Sequence, residues 1–218
     1  MGGASAGAPV IRPLGECALL IELSDSGRPG HPGRAPALAA RLREAPPAGV
    51  LDAVAAYETV AVYFDPLECS QEELSDLLLR EGEQVRASTP ESAVEHLMPV
   101  VYDGEDLDSV AARTGLSRAR VAEIHAAADY TVFAVGFVPG FAYLGELDDR
   151  LRIPRRDTPR TRVPAGSVAI ADAQTAVYPL TTPGGWHIIG RTSARMFDPS
   201  RSPPSLLAVG DRVRFVPA

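Results

Sequence analysis

The stretch GFVPGFAYLGELDDRLRIPRRDTPRTRVPAGSVAIADAQTAVYPLTTPGGWHIIGRT, residues 136–192, constrains the fold more than any other part of the chain. Gly, Pro and Asp interrupt it so often that it has no room for the crossover helices that parallel strands require. The run YTVFAVG at 130–136 leads into it as a strand. SVAIA at 167–171, AVYP at 176–179, WHII at 186–189 and RVRFV at 212–216 read as further short strands. Short strands divided by turn residues predict a β-barrel or sandwich rather than βαβ units. Ahead of them, HLMPVVY at 96–102 reads as a strand, and residues 107–114 and 117–128 read as two short helices.

The first part of the chain has a different rhythm. Residues 10–23 (VIRPLGECALLIEL) predict a β-hairpin turning near 14–16, and residues 24–36, rich in Gly and Pro, predict a loop. ALAARLRE at 37–44 has helical composition and is stopped by Pro46 and Pro47. Strands at 50–56 and 59–64 flank a turn at Tyr57 and Glu58. In SQEELSDLLLREGEQ at 70–84, Ser70 and Glu73 form a capping box, and Leu74, Leu77 and Leu78 make an apolar stripe. The order ββαββα predicts a small α/β sandwich, and ASTPESA at 87–93 reads as a linker. The fold class expected is therefore α+β, with a sandwich in residues 1–90 and a barrel carrying the motif block in residues 91–218.

A net charge of −7 argues against a general nucleic-acid binder, which needs a basic face for phosphates. The chain contains neither Lys nor Asn, so all of its 21 basic residues are Arg. That excludes a Walker lysine or a Schiff-base lysine within it. Cys17 and Cys69 lack metal-ligand spacing and read as reduced thiols; no metal site is expected. The start MGGASAGAP resembles neither a signal peptide nor a myristoylation site. No run approaches the roughly 18 apolar residues of a membrane span. The expectation is a cytoplasmic protein with no membrane partner.

Pro139-Gly140 fits a type II turn, with Gly where φ must be positive. The turn would hold Phe137, Phe141 and Tyr143 at the barrel mouth and present the N–H groups of Gly136 and Gly140 to a small planar ligand. The alternative is a packed corner. Arg150, Arg152, Arg155, Arg156, Arg160 and Arg162 crowd one segment beside Asp148, Asp149 and Asp157. Guanidinium forks suit carboxylate or phosphate; the alternative is a solvated face laced with ion pairs. Arg155 and Arg160 stand beside prolines, which fix their backbone. Gln174 and Tyr178 offer hydrogen bonds to a ligand amide, with a structural role as the alternative. Trp186 ends the turn TPGGW as a core residue, and His187 points the opposite way. No Ser-His-Asp or Cys-His arrangement, glycine-rich phosphate loop or paired acidic Mg²⁺ motif is present, so no catalytic residue is singled out.

GFVPGFAYL, RIPRRDTPRTRVPAGSVAIA, QTAVYP and TPGGWHIIGRT strongly resemble the family of KipI and the 5-oxoprolinase B subunits, also called allophanate hydrolase subunit 1 and related to the carboxyltransferase region of urea carboxylases. MPVVYDGEDLDSVA and LLAVGDRVRFVPA extend the resemblance over nearly the whole chain. It implies a cyclophilin-like β-barrel and heteromeric partners, the C and A subunits of 5-oxoprolinase. The implied activity is ATP-dependent opening of 5-oxo-L-proline to L-glutamate: phosphoryl transfer activates the lactam carbonyl, and water then attacks. ATP with Mg²⁺ is the implied cofactor, used in the complex, with the chain inactive alone. Joined to the reading of the residues, it assigns the GFVPGF loop to the ligand carbonyl and Arg155, Arg160 and Arg191 to carboxylate or phosphate. Gln174, Tyr178 and Thr182 become pocket hydrogen-bonders. The resemblance also implies two alternatives: a KipI-type inhibitor of a sensor histidine kinase, and an accessory component of allophanate or urea metabolism.

Overall fold

Alternating burial along its central strands builds the first sheet. In the computed structural model, which describes residues 8–23, 33–86 and 93–218, it comprises β1 (Val10–Pro13), β2 (Ala18–Glu22), β3 (Val50–Ala56) and β4 (Thr59–Phe64). The strands pair antiparallel in the order β1-β2-β4-β3, with Leu20 facing Ala61 and Ala61 facing Val54. Leu19, Ile21, Val60, Val62, Phe64 and Ala53 point to one face and are buried against Leu38, Ala39, Leu42, Leu74 and Leu78 of two helices, α1 (Ala35–Glu44) and α2 (Gln71–Gln84). The ββαββα expectation therefore holds. The predicted capping box is formed, with the Ser70 Oγ accepting from the Glu73 N–H and Glu73 accepting from the Ser70 N–H. Helix α1 starts earlier than expected because Pro36 falls in its first turn, where proline is tolerated. Most of the expected 24–36 loop and 87–93 linker lies outside the described residues.

The chain divides into two compact units, residues 1–92 and 93–218. The second unit contains α3 (Leu107–Thr114), α4 (Arg118–Ala127) and a seven-stranded sheet. Its strands are β5 (Glu95–Val100), β6 (Asp129–Val135), β7 (Ala142–Gly145), β9 (Ser167–Ala171), β10 (Gln174–Val177), β12 (His187–Arg191) and β13 (Arg212–Pro217), in the order β12-β9-β10-β7-β6-β13-β5. The sheet nearly closes into a barrel. Just past β5, Val101 and Arg191 exchange two backbone hydrogen bonds, both 2.9 Å long. The chain then continues along β12, with the Gly104 N–H on the Ile189 carbonyl. A Cβ at Gly104 would run into the Ile188–Gly190 backbone, so only glycine permits this approach. A separate ribbon joins β8 (Arg160–Val163) to β11 (Thr182–Gly184).

Leu144, Val132, Tyr130, Val168, Ile170, Val177, Val213 and Phe215 fill the barrel interior with Leu107, Val121 and Ile124 of the two helices. His125, fully buried, joins them. Its Nδ1 lies 2.7 Å from the Tyr102 hydroxyl and its Nε2 2.8 Å from Thr175 Oγ1. The α+β class and barrel expectations are therefore met. Among the described residues no helix is long and apolar enough to cross a membrane.

Candidate functional site

Strand alternation gives the barrel a second, outward apolar face. Ala169, Ala171 and Ala176 form its floor, and Phe141, Tyr178, Trp186 and Ile188 surround them. Phe141 is the hub: its ring meets those of Phe137, Tyr143, Tyr178 and Trp186 edge to face at 5.5, 4.9, 5.4 and 5.7 Å. Such edge contacts suit the charge distribution of aromatic rings. The small floor residues let the rings approach the sheet.

The GFVPGF segment forms the predicted type II turn. The Phe141 N–H donates to the Val138 carbonyl at 3.0 Å, and Gly140 has φ of +80°. A Cβ at Gly140 would lie 2.7 Å from the Phe197 Cβ, so sterics demand glycine there twice over. Pro139 sets the turn, and Gly136 has open space around it. Phe137 was not foreseen in the left-handed region, yet its φ is +75° while the residue is 62% exposed. A bulky residue held there stores strain of about 1–2 kcal/mol.

Tyr178 lies beneath Gly184, whose missing side chain makes room for the phenol. Burial raises the Tyr178 hydroxyl above its usual range. A backbone hydrogen bond with Trp186 and the nearby charges of Arg155 and Arg160 partly oppose that. The same hydroxyl therefore senses Arg155, Arg160 and Tyr143 together. Arg155 is more than half exposed and sits over the Trp186 ring, 5.9 Å from its centroid, with Asp172 3.6 Å away. Gln174 stands on the same strand face as Ala176 and Tyr178. Thr182 sits on β11 opposite Val163.

Five of the other arginines are engaged within the chain. Asp106, 3% exposed, accepts on Oδ1 from Arg156 at 2.6 Å and from Arg160 at 2.7 Å. Its Oδ2 accepts the Ile188 N–H at 2.7 Å. Burial alone would raise this carboxyl. The Arg160 and Ile188 hydrogen bonds and the two guanidinium charges outweigh burial and hold it below the ordinary range. Arg160 also reaches Glu105 at 2.9 Å. Arg191 forms a two-point pair with Asp103 at the barrel closure, Arg150 pairs with Asp148, and Arg152 pairs with Glu146 and Asp149. The run is thus largely an ion-pair lattice, the alternative left open by the sequence. Arg155 is the member that stands on the aromatic face.

The structure thus gathers Phe141, Tyr143 and Arg155 on Trp186, with Phe137 and Tyr178 against Phe141, while Arg160 is tied to Asp106 and Glu105 and Arg191 sits at the closure with Asp103. Asp106 was missed as a site residue, and Arg156 was read only as one member of the arginine run. Their only sequence signal was an acidic residue opening a helix and a second arginine in the RR pair. Among the described residues no group of three His, Cys, Asp or Glu is placed to hold a metal ion. Groups that donate hydrogen bonds dominate the site, which suits binding and orienting an oxygen-rich ligand.

A family model for the carboxyltransferase domain, subdomain C and D, matches residues 9–207. The 5-oxoprolinase B subunit of Escherichia coli O157:H7 is 44% identical over 207 residues, covering 94% of each chain. The 5-oxoprolinase B subunit of Bacillus subtilis is 36% identical over 223 residues, covering 94% of this chain and 91% of its own. The crystal structure of TTHA0988 superposes with a TM-score of 0.81 at 40% identity. That match covers 96% of this chain but only 40% of the solved one.

Proposed function

The chain belongs to the carboxyltransferase domain, subdomain C and D, family, and on that footing we propose that it is the B subunit of an ATP-dependent 5-oxoprolinase, a hydrolase that opens 5-oxo-L-proline to L-glutamate. Its partners are the C and A subunits. ATP with Mg²⁺ is bound in the assembled complex, where phosphoryl transfer activates the lactam carbonyl. The names of the relatives from Escherichia coli and Bacillus subtilis support this role.

One structural observation carries the site assignment. Arg155, Tyr143 and Tyr178 meet at Trp186, beside the exposed Phe137. The aromatic faces suit the flat lactam ring, and Arg155 supplies a charged donor for a carboxylate or a developing negative oxygen. This chain contributes binding and orientation. It has no lysine and no phosphate loop with which to hold ATP in the P-loop manner, so turnover requires the other subunits.

The test is glutamate formation from 5-oxo-L-proline with ATP and Mg²⁺, measured for the chain alone and with the C and A subunits. Glutamate in the full mixture alone is the expected result. Its absence from every well-folded mixture would reject the assignment.

A further inference from the structure

Thr175 turns into the barrel, where its Oγ1 lies 2.8 Å from His125 Nε2. Strand alternation therefore sends its neighbour Gln174 to the outer aromatic face. Gln174 pairs with Ala171 on one side. On the other, the antiparallel pairing of Thr175 with Leu144 sets it opposite Gly145. Neither neighbour has a side chain that can engage it. Among the described residues the Gln174 amide has no hydrogen-bond partner, although the residue is half-buried. Its donor hydrogens and its acceptor oxygen are left to solvent or to a ligand.

The amide stands on the face already assigned to the lactam. The same register sets Ala176 opposite Tyr143, so Gln174 and Tyr143 are diagonal neighbours. That spacing is about 7–8 Å, which long and aromatic side chains bridge. Tyr143 meets Trp186 at 6.0 Å between ring centroids, and Arg155 stands 5.9 Å over the same ring. Asp172, in the turn just before Gln174, lies 3.6 Å from Arg155 Nε. Gln174 is thus flanked by Tyr143 on one side and by the Asp172–Arg155 pair on the other.

A carboxamide offers a C=O acceptor and an N–H donor side by side on one edge. An amide in a small ring is held cis, so its own C=O and N–H also share one edge. Two such edges pair head to tail through two hydrogen bonds. An open-chain secondary amide is trans. It presents the two groups on opposite edges and can make only one of the bonds. A carboxylate or phosphate has acceptors only and would face the Gln174 oxygen. One side chain can therefore tell a cyclic amide from both.

We propose that Gln174 reads the cis edge of a cyclic amide, donating its N–H to the ligand carbonyl and accepting the ring N–H on its own oxygen. The face then selects small cyclic amides as a class, 5-oxo-L-proline among them. The assignment rests on the proposed 5-oxoprolinase role of this face and adds the residue that distinguishes a lactam from an open amide.

The chain has no Asn and only three Gln, at positions 71, 84 and 174. Nitrogen labelling of glutamine therefore isolates the Gln174 side chain, with Gln71 and Gln84 in the other unit as internal controls. The labelled chain, alone and assembled with the C and A subunits, is titrated with 5-oxo-L-proline, 2-pyrrolidone, N-methyl-2-pyrrolidone and N-methylacetamide. The first two are expected to move the Gln174 amide signal saturably and to leave Gln71 and Gln84 in place. The N-methyl lactam lacks the donor and N-methylacetamide is trans, so each should bind about tenfold more weakly or worse. In the complex, Gln174→Glu replaces the donor with a charged acceptor. It should raise KM for 5-oxo-L-proline by about tenfold or more and leave KM for ATP unchanged. Varying the ligand keeps the test clear of any folding defect. Equal binding of the two lactams, equal movement of all three Gln signals, or an unmoved Gln174 in both preparations overturns the proposal. Glutamate formed by the natural complex with Gln174 unmoved removes this reading and leaves the proposed function standing. Gln174 moved by 2-pyrrolidone and not by its N-methyl form, with no glutamate formed, supports the reading and rejects the function.

Discussion

Asp106 and Ile188 are joined by two hydrogen bonds: the Asp106 N–H donates to the Ile188 carbonyl at 2.9 Å, and Asp106 Oδ2 accepts the Ile188 N–H at 2.7 Å. One residue's backbone and side chain thus take the place of a neighbouring strand on the free edge of β12. The carboxylate's other oxygen holds Arg156 and Arg160, so one buried charge fixes both the barrel seam and the arginine segment.

Removing that charge strands two guanidinium groups and a backbone N–H. Asp106→Ala is expected to lower stability by about 3–5 kcal/mol, the range for breaking a buried pair from one side. Asp106→Asn, which keeps an acceptor, should lose less. Denaturant titration of the two variants checks the order. Because the folded carboxyl lies below its ordinary 3.8, its contribution is present above that value and disappears as pH falls through the lower folded value.

His125 gives a second pH signature, of the opposite charge type. Burial lowers its pKa from 6.5 to about 3. Between those values the unfolded chain binds a proton that the folded chain refuses, so stability falls as pH drops below 6.5, by up to about 1.4 kcal/mol per pH unit. Thr175 Oγ1 donates to the Ala169 carbonyl at 3.1 Å. It therefore accepts from His125 Nε2, and the ring is the neutral Nε2–H form with Nδ1 accepting from Tyr102. Histidine NMR should show that tautomer unchanged from pH 7 to pH 5.

Phe137 separates strain from stability. Phe137→Gly relieves the left-handed backbone but loses the ring contact to Phe141 and loosens the unfolded chain. These terms oppose each other, so the expected change in stability is about 1 kcal/mol or less. The catalytic efficiency of the complex should fall at least tenfold if the strained ring serves the ligand. Gly140→Ala meets both positive φ and the Phe197 Cβ, and should destabilise by about 2 kcal/mol or more. Thermal melts of the two variants distinguish these outcomes.

Local chemistry was legible in the sequence and long-range chemistry was not. The Ser70 capping box and the Pro139-Gly140 turn depend on residues a few positions apart, and both formed as read. The ββαββα order followed from turn residues between apolar runs and from helical spacing. The β8–β11 ribbon was missed because its strands are only 4 and 3 residues long and β8 reads Arg-Thr-Arg-Val, a charged run. The arginine segment presented itself as a cation cluster because its counter-charge, Asp106, lies 50 and 54 residues away from Arg156 and Arg160. Arg191 looked like a ligand for the same reason until the fold brought Asp103 to it. Of the aromatic cluster, Phe137, Phe141 and Tyr143 were read together, Tyr178 was read as a hydrogen-bonder, and Trp186 was read as core. It is buried, yet its face carries Arg155.

The measurement that tests the account most directly is the 5-oxo-L-proline-dependent kcat/KM of the reconstituted complex with Arg155→Ala beside the natural chain. Arg155 is exposed, so the substitution leaves the fold and its melting temperature intact. The account predicts lactam-dependent ATP hydrolysis with glutamate formed, reduced at least tenfold by the substitution while the complex still assembles. Unchanged kcat/KM would contradict the site, and no lactam-dependent hydrolysis by the natural complex would contradict the function.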